Sequence, residues 1–169
     1  MTKTRICFVC LGNICRSPLA EGIFKHQARA AGSAQDFHVE SAGIEHYHVG
    51  DRPDSRSVDV ARAHGIQLDG RAQQFKGEDF ARFDRVIALA SDVAADLHRL
   101  APTAPDRAKI SLLRDHDRHV PAGAPEAARD VPDPYYGGPE GFEDAYHLIE
   151  RSTRQLLETF VSPDGRQRP

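Results

Sequence analysis

Cysteine is scarce in this chain: three in 169 residues, at positions 7, 10 and 15. An odd, clustered count excludes the disulfide framework of a small secreted domain. Long apolar runs are missing too, and nothing approaches the length needed to cross a bilayer. A basic excess is also lacking, since 22 Lys and Arg face 25 Asp and Glu for a formal charge of −3. That balance argues against a general nucleic-acid binder. The first apolar stretch, Ile6 to Gly12, is short and runs into Asn13, Arg16 and Ser17, unlike a secretory signal. A cytoplasmic location is the expectation. What remains is a chain of ordinary composition, 40% apolar and 28% charged, long enough for one domain with a sizeable core.

Strand and helix signals alternate along it. Ile6–Cys10 is a continuous apolar run, typical of a strand covered on both faces. Ser17 as N-cap and Pro18 at the first helical position predict a helix carrying Leu19, Ile23, Phe24 and Ala31, ended by Gly32. Phe37–Ala42 predicts a second strand. Asp54 predicts the cap of a helix to about Gly65, with Val58 and Ala61 on one face. Arg85–Ala90 predicts a third strand, and Ser91 the cap of a helix bearing Val93, Leu97 and Leu100. Lys109–Leu113 predicts a fourth strand. The last helix starts near Pro139, with Phe142, Ala145, Tyr146, Ile149, Leu156, Leu157 and Phe160 along one stripe. The fold class expected is α/β: one domain over residues 1–161, a four-stranded parallel sheet with helices on both faces, and a loose tail at 162–169. Residues 114–139 are polar and aperiodic, a length of loop that is often functional.

Ligands of such sheets bind beyond the carboxyl ends of the strands. Cys10 lies at one. The five residues Leu11, Gly12, Asn13, Ile14 and Cys15 separate it from Arg16. A loop of that size can curl its backbone N–H groups inward as an anion nest, and the helix N-terminus adds more. Gly12 and Asn13 tolerate the left-handed angles of a tight curl. Arg16 would offer two parallel hydrogen bonds to a phosphoryl group. The same positive field would favour a thiolate at Cys10, and Ser17 could donate its hydroxyl to that sulfur. The spacing of Cys7 and Cys10 is also that of a zinc pair, but the other ligands of a site are not visible. His46 and His48 flank Tyr47 without a third ligand placed by sequence, which reads as a solvated loop. No metal or other cofactor is expected.

The segment Val9–Pro18 resembles the signature loop of the low-molecular-weight protein tyrosine phosphatases. Ser41-Ala42-Gly43, His48-Val49-Gly50, His64-Gly65-Ile66, Phe83–Ile87 and Asp133-Pro134-Tyr135-Tyr136-Gly137-Gly138 follow in the family's order, over about residues 5–160. The resemblance implies hydrolysis of phosphotyrosine and small aryl phosphates through a cysteinyl-phosphate. Cys10 would be the nucleophile, Arg16 the phosphate ligand and Asp133 the general acid. Chemistry alone leaves Asp115, Asp117 and Asp130 open beside Asp133. Tyr47, Tyr135 and Tyr136 would form the substrate rim. Phosphotyrosine proteins would be partners, with a tyrosine kinase acting on Tyr135 or Tyr136. Cys15 would be the redox partner of Cys10. The chain departs from the family pattern at Gly70-Arg71-Ala72-Gln73-Gln74, which lacks a histidine, and at Leu89-Ala90-Ser91-Asp92. Two competing readings are an arsenate reductase, which relays electrons through cysteines further along, and a non-catalytic phosphotyrosine-binding module.

Overall fold

The computed structural model describes residues 2–161. The tail expected at 162–169 therefore lies outside the described residues. Four parallel strands, β1 (Thr4–Cys10), β2 (Phe37–Gly43), β3 (Arg85–Ala88) and β4 (Ile110–Leu112), form one sheet in the order β2-β1-β3-β4. β1 is central and pairs along its whole length with β2, from Thr4 opposite Phe37 to Cys10 opposite Gly43. The strand order reverses between β1 and β3, so the ligand crevice of such a sheet opens beside Cys10.

Alternation along β1 divides two cores. Ile6, Phe8 and Cys10 pack beneath α1 (Arg16–Ala30), α2 (Ser55–Ala63) and α5 (Pro139–Phe160). Cys7 and Val9 face the other way, onto Phe75, Phe80, Phe83 and the buried side of α3 (Ser91–Leu100). Cys7 and Cys10 therefore occupy opposite faces and cannot share an ion. The first core is stitched by rings: Phe8 to Phe24, Phe24 to Phe37 and Phe37 to Phe160, with centroids 5.9, 5.2 and 5.6 Å apart. Each such ring stabilises the fold by about 1.5–3 kcal/mol when fully buried. A short helix, α4 (Ala104–Arg107), leads into β4. Among the described residues no helix is long and apolar enough to cross a membrane.

The structure differs from the sequence reading mainly at element ends. α1 begins at Arg16 with Cys15 as cap residue, so Ser17 and Pro18 lie inside the first turn. Its C-terminus follows the reading: beyond the cap residue Ala31, Gly32 turns left-handed at φ 70° and the helix stops. α2 does carry Asp54 as cap, its carboxylate accepting from the Arg56 N–H, but Ser57, Val60 and Ala61 are buried while Val58 is half-exposed. β3 stops at Ala88, two residues early, and β4 is one residue shorter at each end than expected. Ser91 is not the cap of α3; Ala90 is. The Ser91 N–H and hydroxyl instead both donate to the Asp130 carboxylate, at 2.7 and 3.2 Å, which caps the helix from the far loop. Leu100, expected on the apolar face of α3, is exposed.

The irregular stretch after β4 is anchored by Asp117. Its fully enclosed carboxylate accepts from Arg151 on α5 at 2.7 and 2.9 Å, from Arg114 at 3.3 Å and from the His119 N–H at 2.9 Å. Burial alone would raise its pKa, but these donors and the Arg151 charge outweigh burial and hold it at about 2. An unfolded aspartate titrates near ~3.9, so the ionised form stabilises the fold above that pH by about 2–3 kcal/mol, and the contribution is lost as pH falls through the folded value. Asp117→Asn is expected to lower the unfolding free energy by about 3 kcal/mol at pH 7. The gap to wild type should close toward pH 2. Urea unfolding at a series of pH values checks this, and a gap independent of pH would contradict it.

Candidate active site

The loop between β1 and α1 has three of its carbonyls, those of Cys10, Leu11 and Ile14, bonded to neighbouring segments. The Cys10 carbonyl accepts from the Ile44 N–H at 3.0 Å, Leu11 from Glu45 at 2.9 Å and Ile14 from Asp54 at 2.8 Å. With the carbonyls held outside, the N–H groups line the inside of the curl. Asn13 supplies the left-handed residue, at φ 57°. Gly12 does not adopt a positive φ; a side chain there would instead press on His48, 3.1 Å away. Gly43 is needed more strictly. A Cβ at Gly43 would lie 2.9 Å from the backbone of Leu11 and Gly12, so only glycine lets β2 approach the loop. The first turn of α1 has no side-chain cap, and its N–H groups remain available to an anion.

Cys10 sits at the bottom of this cup, 3% exposed. The Asn13 N–H donates to its sulfur at 3.3 Å, and the Ser17 hydroxyl lies 3.0 Å away. Ser17 also accepts from Asn13 Nδ2 at 2.8 Å. That bond fills a lone pair of the hydroxyl, whose proton then faces two acceptors, the sulfur at 3.0 Å and the Ala42 carbonyl at 3.4 Å. This explains why Ser17 is not a helix cap: its oxygen is buried and turned to Cys10. Two donors converging on one sulfur suit a negatively charged atom. Cys15 differs. Burial, reinforced by the charge of Asp54, pushes its thiol up to about 12, so at neutral pH it is fully protonated.

The Arg16 guanidinium is buried along the cup wall. It donates to the Val131 carbonyl at 3.0 Å, and its other nitrogen stands 3.5 Å from Asp133 Oδ2. The geometry also separates the four aspartates that chemistry left open. Asp115 accepts from the Leu112 N–H and pairs with Arg129 at 2.6 Å. Asp117 is enclosed by arginines, and Asp130 caps α3. Asp133 alone of the four lines the cavity above Cys10.

That cavity measures about 200 Å³ and is bounded by Cys10–Gly12, Ile14–Arg16, Tyr47, His48, Asp133, Tyr135 and Tyr136. Asn13 and Ser17 lie behind it. Tyr136 is 93% exposed and meets Tyr135 edge-on, with ring centroids 4.9 Å apart at 82°. A larger and shallower depression, beside α2 and Ile66, holds none of these groups. Two wall-building residues were missed in the sequence. His48, read as part of a solvated loop, lines the cavity and pairs with Asp51 at 3.1 Å. Arg56 donates to the Tyr135 carbonyl at 3.0 Å, lies over the Phe142 ring at 4.5 Å and is paired with Asp54. It thereby ties the Asp133–Tyr136 segment to the start of α2.

The chain as a whole is similar to proteins already known. The family model for low molecular weight phosphotyrosine protein phosphatase matches residues 5–164. The chain belongs to that family. A low molecular weight protein-tyrosine-phosphatase of Streptomyces coelicolor is 44% identical, over 90% of this chain and 91% of the relative. The human low molecular weight phosphotyrosine protein phosphatase is 36% identical, over 90% and 93%. A crystal structure of a protein tyrosine phosphatase from Entamoeba histolytica, with Hepes in its active site, superposes with a TM-score of 0.84. It is 32% identical and covers 92% of this chain and 95% of its own.

Where this phosphatase chain departs from the family pattern, the support of Asn13 is still complete. Its carbonyl oxygen accepts from the Gln73 N–H at 3.0 Å, and Nδ2 also donates to Ser41 Oγ at 2.9 Å. Ser41 in turn donates to Glu21 at 2.7 Å. The Gln73 side chain bridges Glu40 and the Ser41 carbonyl. The second departure, at Leu89–Asp92, is where Asp130 caps α3 and where the Val131 N–H bonds to the Leu89 carbonyl at 2.8 Å. Val131 is also the residue whose carbonyl holds Arg16, so this departure feeds directly into the site.

Proposed function

We propose that the protein hydrolyses phosphotyrosine in proteins, and small aryl phosphates, by in-line attack of Cys10 on phosphorus. The observation that carries this is the convergence of the Asn13 N–H and the Ser17 hydroxyl on one buried sulfur, with Arg16 beside it and Asp133 across the cavity. Arg16 and the inward N–H groups of the curl bind the phosphoryl oxygens, while the Asn13 N–H and Ser17 hold the sulfur. A dianion entering the cup replaces Asp133 as the partner of the guanidinium, and the released carboxylate takes a proton from solvent beside the phosphate charge. Asp133 protonates the departing phenol, and Cys10 becomes a phosphocysteine. Asp133, now a base, takes a proton from water as that water attacks phosphorus, and inorganic phosphate leaves with the Cys10 thiolate restored.

The aromatic rim of Tyr47, Tyr135 and Tyr136 suits a flat substrate ring. The arsenate reductase reading needs thiols further along, and no cysteine follows Cys15. The three free cysteines fit a reducing compartment, which supports a cytoplasmic location. Cys15 serves as redox partner: a peroxide oxidises Cys10 to its sulfenic acid, the peroxide being reduced, and that acid condenses with the Cys15 thiol, releasing water and forming a disulfide. Tyr136 offers a tyrosine kinase the more accessible hydroxyl, since Tyr135 is 37% exposed and held under Arg56.

A phosphotyrosine peptide and its phosphoserine counterpart, assayed with chelator present, test the reading. The first should be hydrolysed and the second at least about 100-fold more slowly. Arg16→Lys should lose about 10²-fold or more in kcat/KM, because a point charge cannot replace two parallel donors. Absence of phosphotyrosine turnover, or turnover that vanishes with chelator, would overturn it.

A further inference from the structure

On the far side of α2 from Arg56, three metal-ligating side chains meet outside the cavity. His64 is the C-cap residue of α2. Glu143 and His147 are one turn apart on α5 and so share a face. His64 Nε2 hydrogen-bonds Glu143 Oε1 at 2.7 Å, and His147 Nε2 stands 3.1 Å from the same oxygen as an ion-pair contact. One ligand atom from each residue falls within 4.8 Å of the others. We infer that His64, Glu143 and His147 form a binding site for a late first-row divalent cation, with Zn²⁺ as its representative.

The donor chemistry selects the ion. Two imidazole nitrogens and one carboxylate oxygen suit Zn²⁺, Ni²⁺ or Cu²⁺, whereas Mg²⁺ and Ca²⁺ prefer oxygen alone. Donor atoms around a tetrahedral zinc stand about 3.3 Å apart, so the present cluster closes with a small rotation of the exposed His147 ring. Pre-organisation is substantial. The His64 ring stacks on Tyr146 at 3.8 Å and 10°, and meets His147 edge-on at 5.7 Å and 85°. Glu150 Oε2 stands 4.0 Å from His147 Nδ1, beyond hydrogen-bond reach, while its other oxygen pairs with Arg154. The carbonyl end of α2, at His64, carries the negative pole of the helix dipole and favours a cation.

Without an ion, the carboxylate oxygen is hydrogen-bonded by His64 Nε2 and has His147 Nε2 beside it. With one, each Nε2 turns a lone pair to the metal, and its proton moves to Nδ1 or to solvent. Affinity therefore falls as pH drops. The bound ion would join the end of α2 to α5, about 12 Å along α2 from the Arg56 that holds the substrate rim. The site takes no part in the phosphatase steps.

Calorimetric titration with Zn²⁺ at pH 7.5, in a Cys10→Ser background to remove the reactive thiol, tests this. One Zn²⁺ per chain should bind, and His147→Gln should weaken it at least tenfold. His147 is exposed, so that variant keeps the fold. His26→Gln, at an exposed histidine elsewhere, should leave binding unchanged. Zn²⁺ should raise the thermal midpoint in the parent and not in His147→Gln, and Mg²⁺ should do neither. Equal Zn²⁺ affinity in parent and His147→Gln, or no stoichiometric binding, would overturn the assignment and leave a plain ion pair.

Discussion

Cys10→Ser is expected to lower kcat for p-nitrophenyl phosphate by at least about 10⁴-fold while inorganic phosphate still binds. The two effects separate because the cup has two jobs done by different atoms. Anion binding rests on Arg16, on N–H groups freed by outward-tied carbonyls, and on the uncapped first turn of α1. Of these groups only the Asn13 N–H touches the sulfur. Attack on phosphorus requires the sulfur as nucleophile; His48, which lines the same cavity, bonds to Asp51 and not to Cys10. A serine hydroxyl receives the same two donors but holds its proton far more tightly than a thiol. Single-turnover assays with the purified variant measure the loss, and phosphate titration measures binding. A variant retaining wild-type turnover would remove Cys10 from its role.

The part of this site that could be read from the chain is the part built from neighbours in sequence. Cys10, Arg16 and Ser17 lie within eight residues, and a buried strand running into a helix leaves few ways to arrange them. The parallel sheet was legible for the same kind of reason, since apolar runs alternated with helical stripes. The helix starts were read wrongly where a side chain had a partner from elsewhere. Ser17 and Ser91 both look like caps, yet one serves the sulfur and the other is held by Asp130, 39 residues away. Choosing among the four aspartates needed a family resemblance in the sequence but only geometry in the structure. Three of them are occupied by arginines or backbone N–H groups that come from as far as α5. Arg56 left no local signal at all: its contact with Tyr135 spans 79 residues. Such long-range polar contacts have no periodicity to betray them, whereas burial does.

Asp133→Asn is expected to slow phosphotyrosine cleavage by about 10²–10⁴-fold, and to slow it far less for esters whose leaving group needs no proton. The carboxamide keeps the shape of the side chain and the Asp133 Oδ1 acceptor that holds the Tyr135 N–H at 3.1 Å. Loop position should therefore survive. What is lost is a carboxyl group able to pass a proton to the leaving oxygen, at a position that lines the same cavity as Cys10 and stands 3.5 Å from the Arg16 guanidinium. A phenol as basic as that of tyrosine departs poorly as the anion, so the penalty grows with leaving-group basicity. Rates measured across a series of aryl phosphates should thus fall more steeply with leaving-group pKa in the variant than in wild type. The breakdown step should slow as well, because the same carboxylate takes a proton from the attacking water. Equal slopes in the two proteins would place the proton donor elsewhere, and Asp115, Asp117 and Asp130 are each too firmly bonded to take its place.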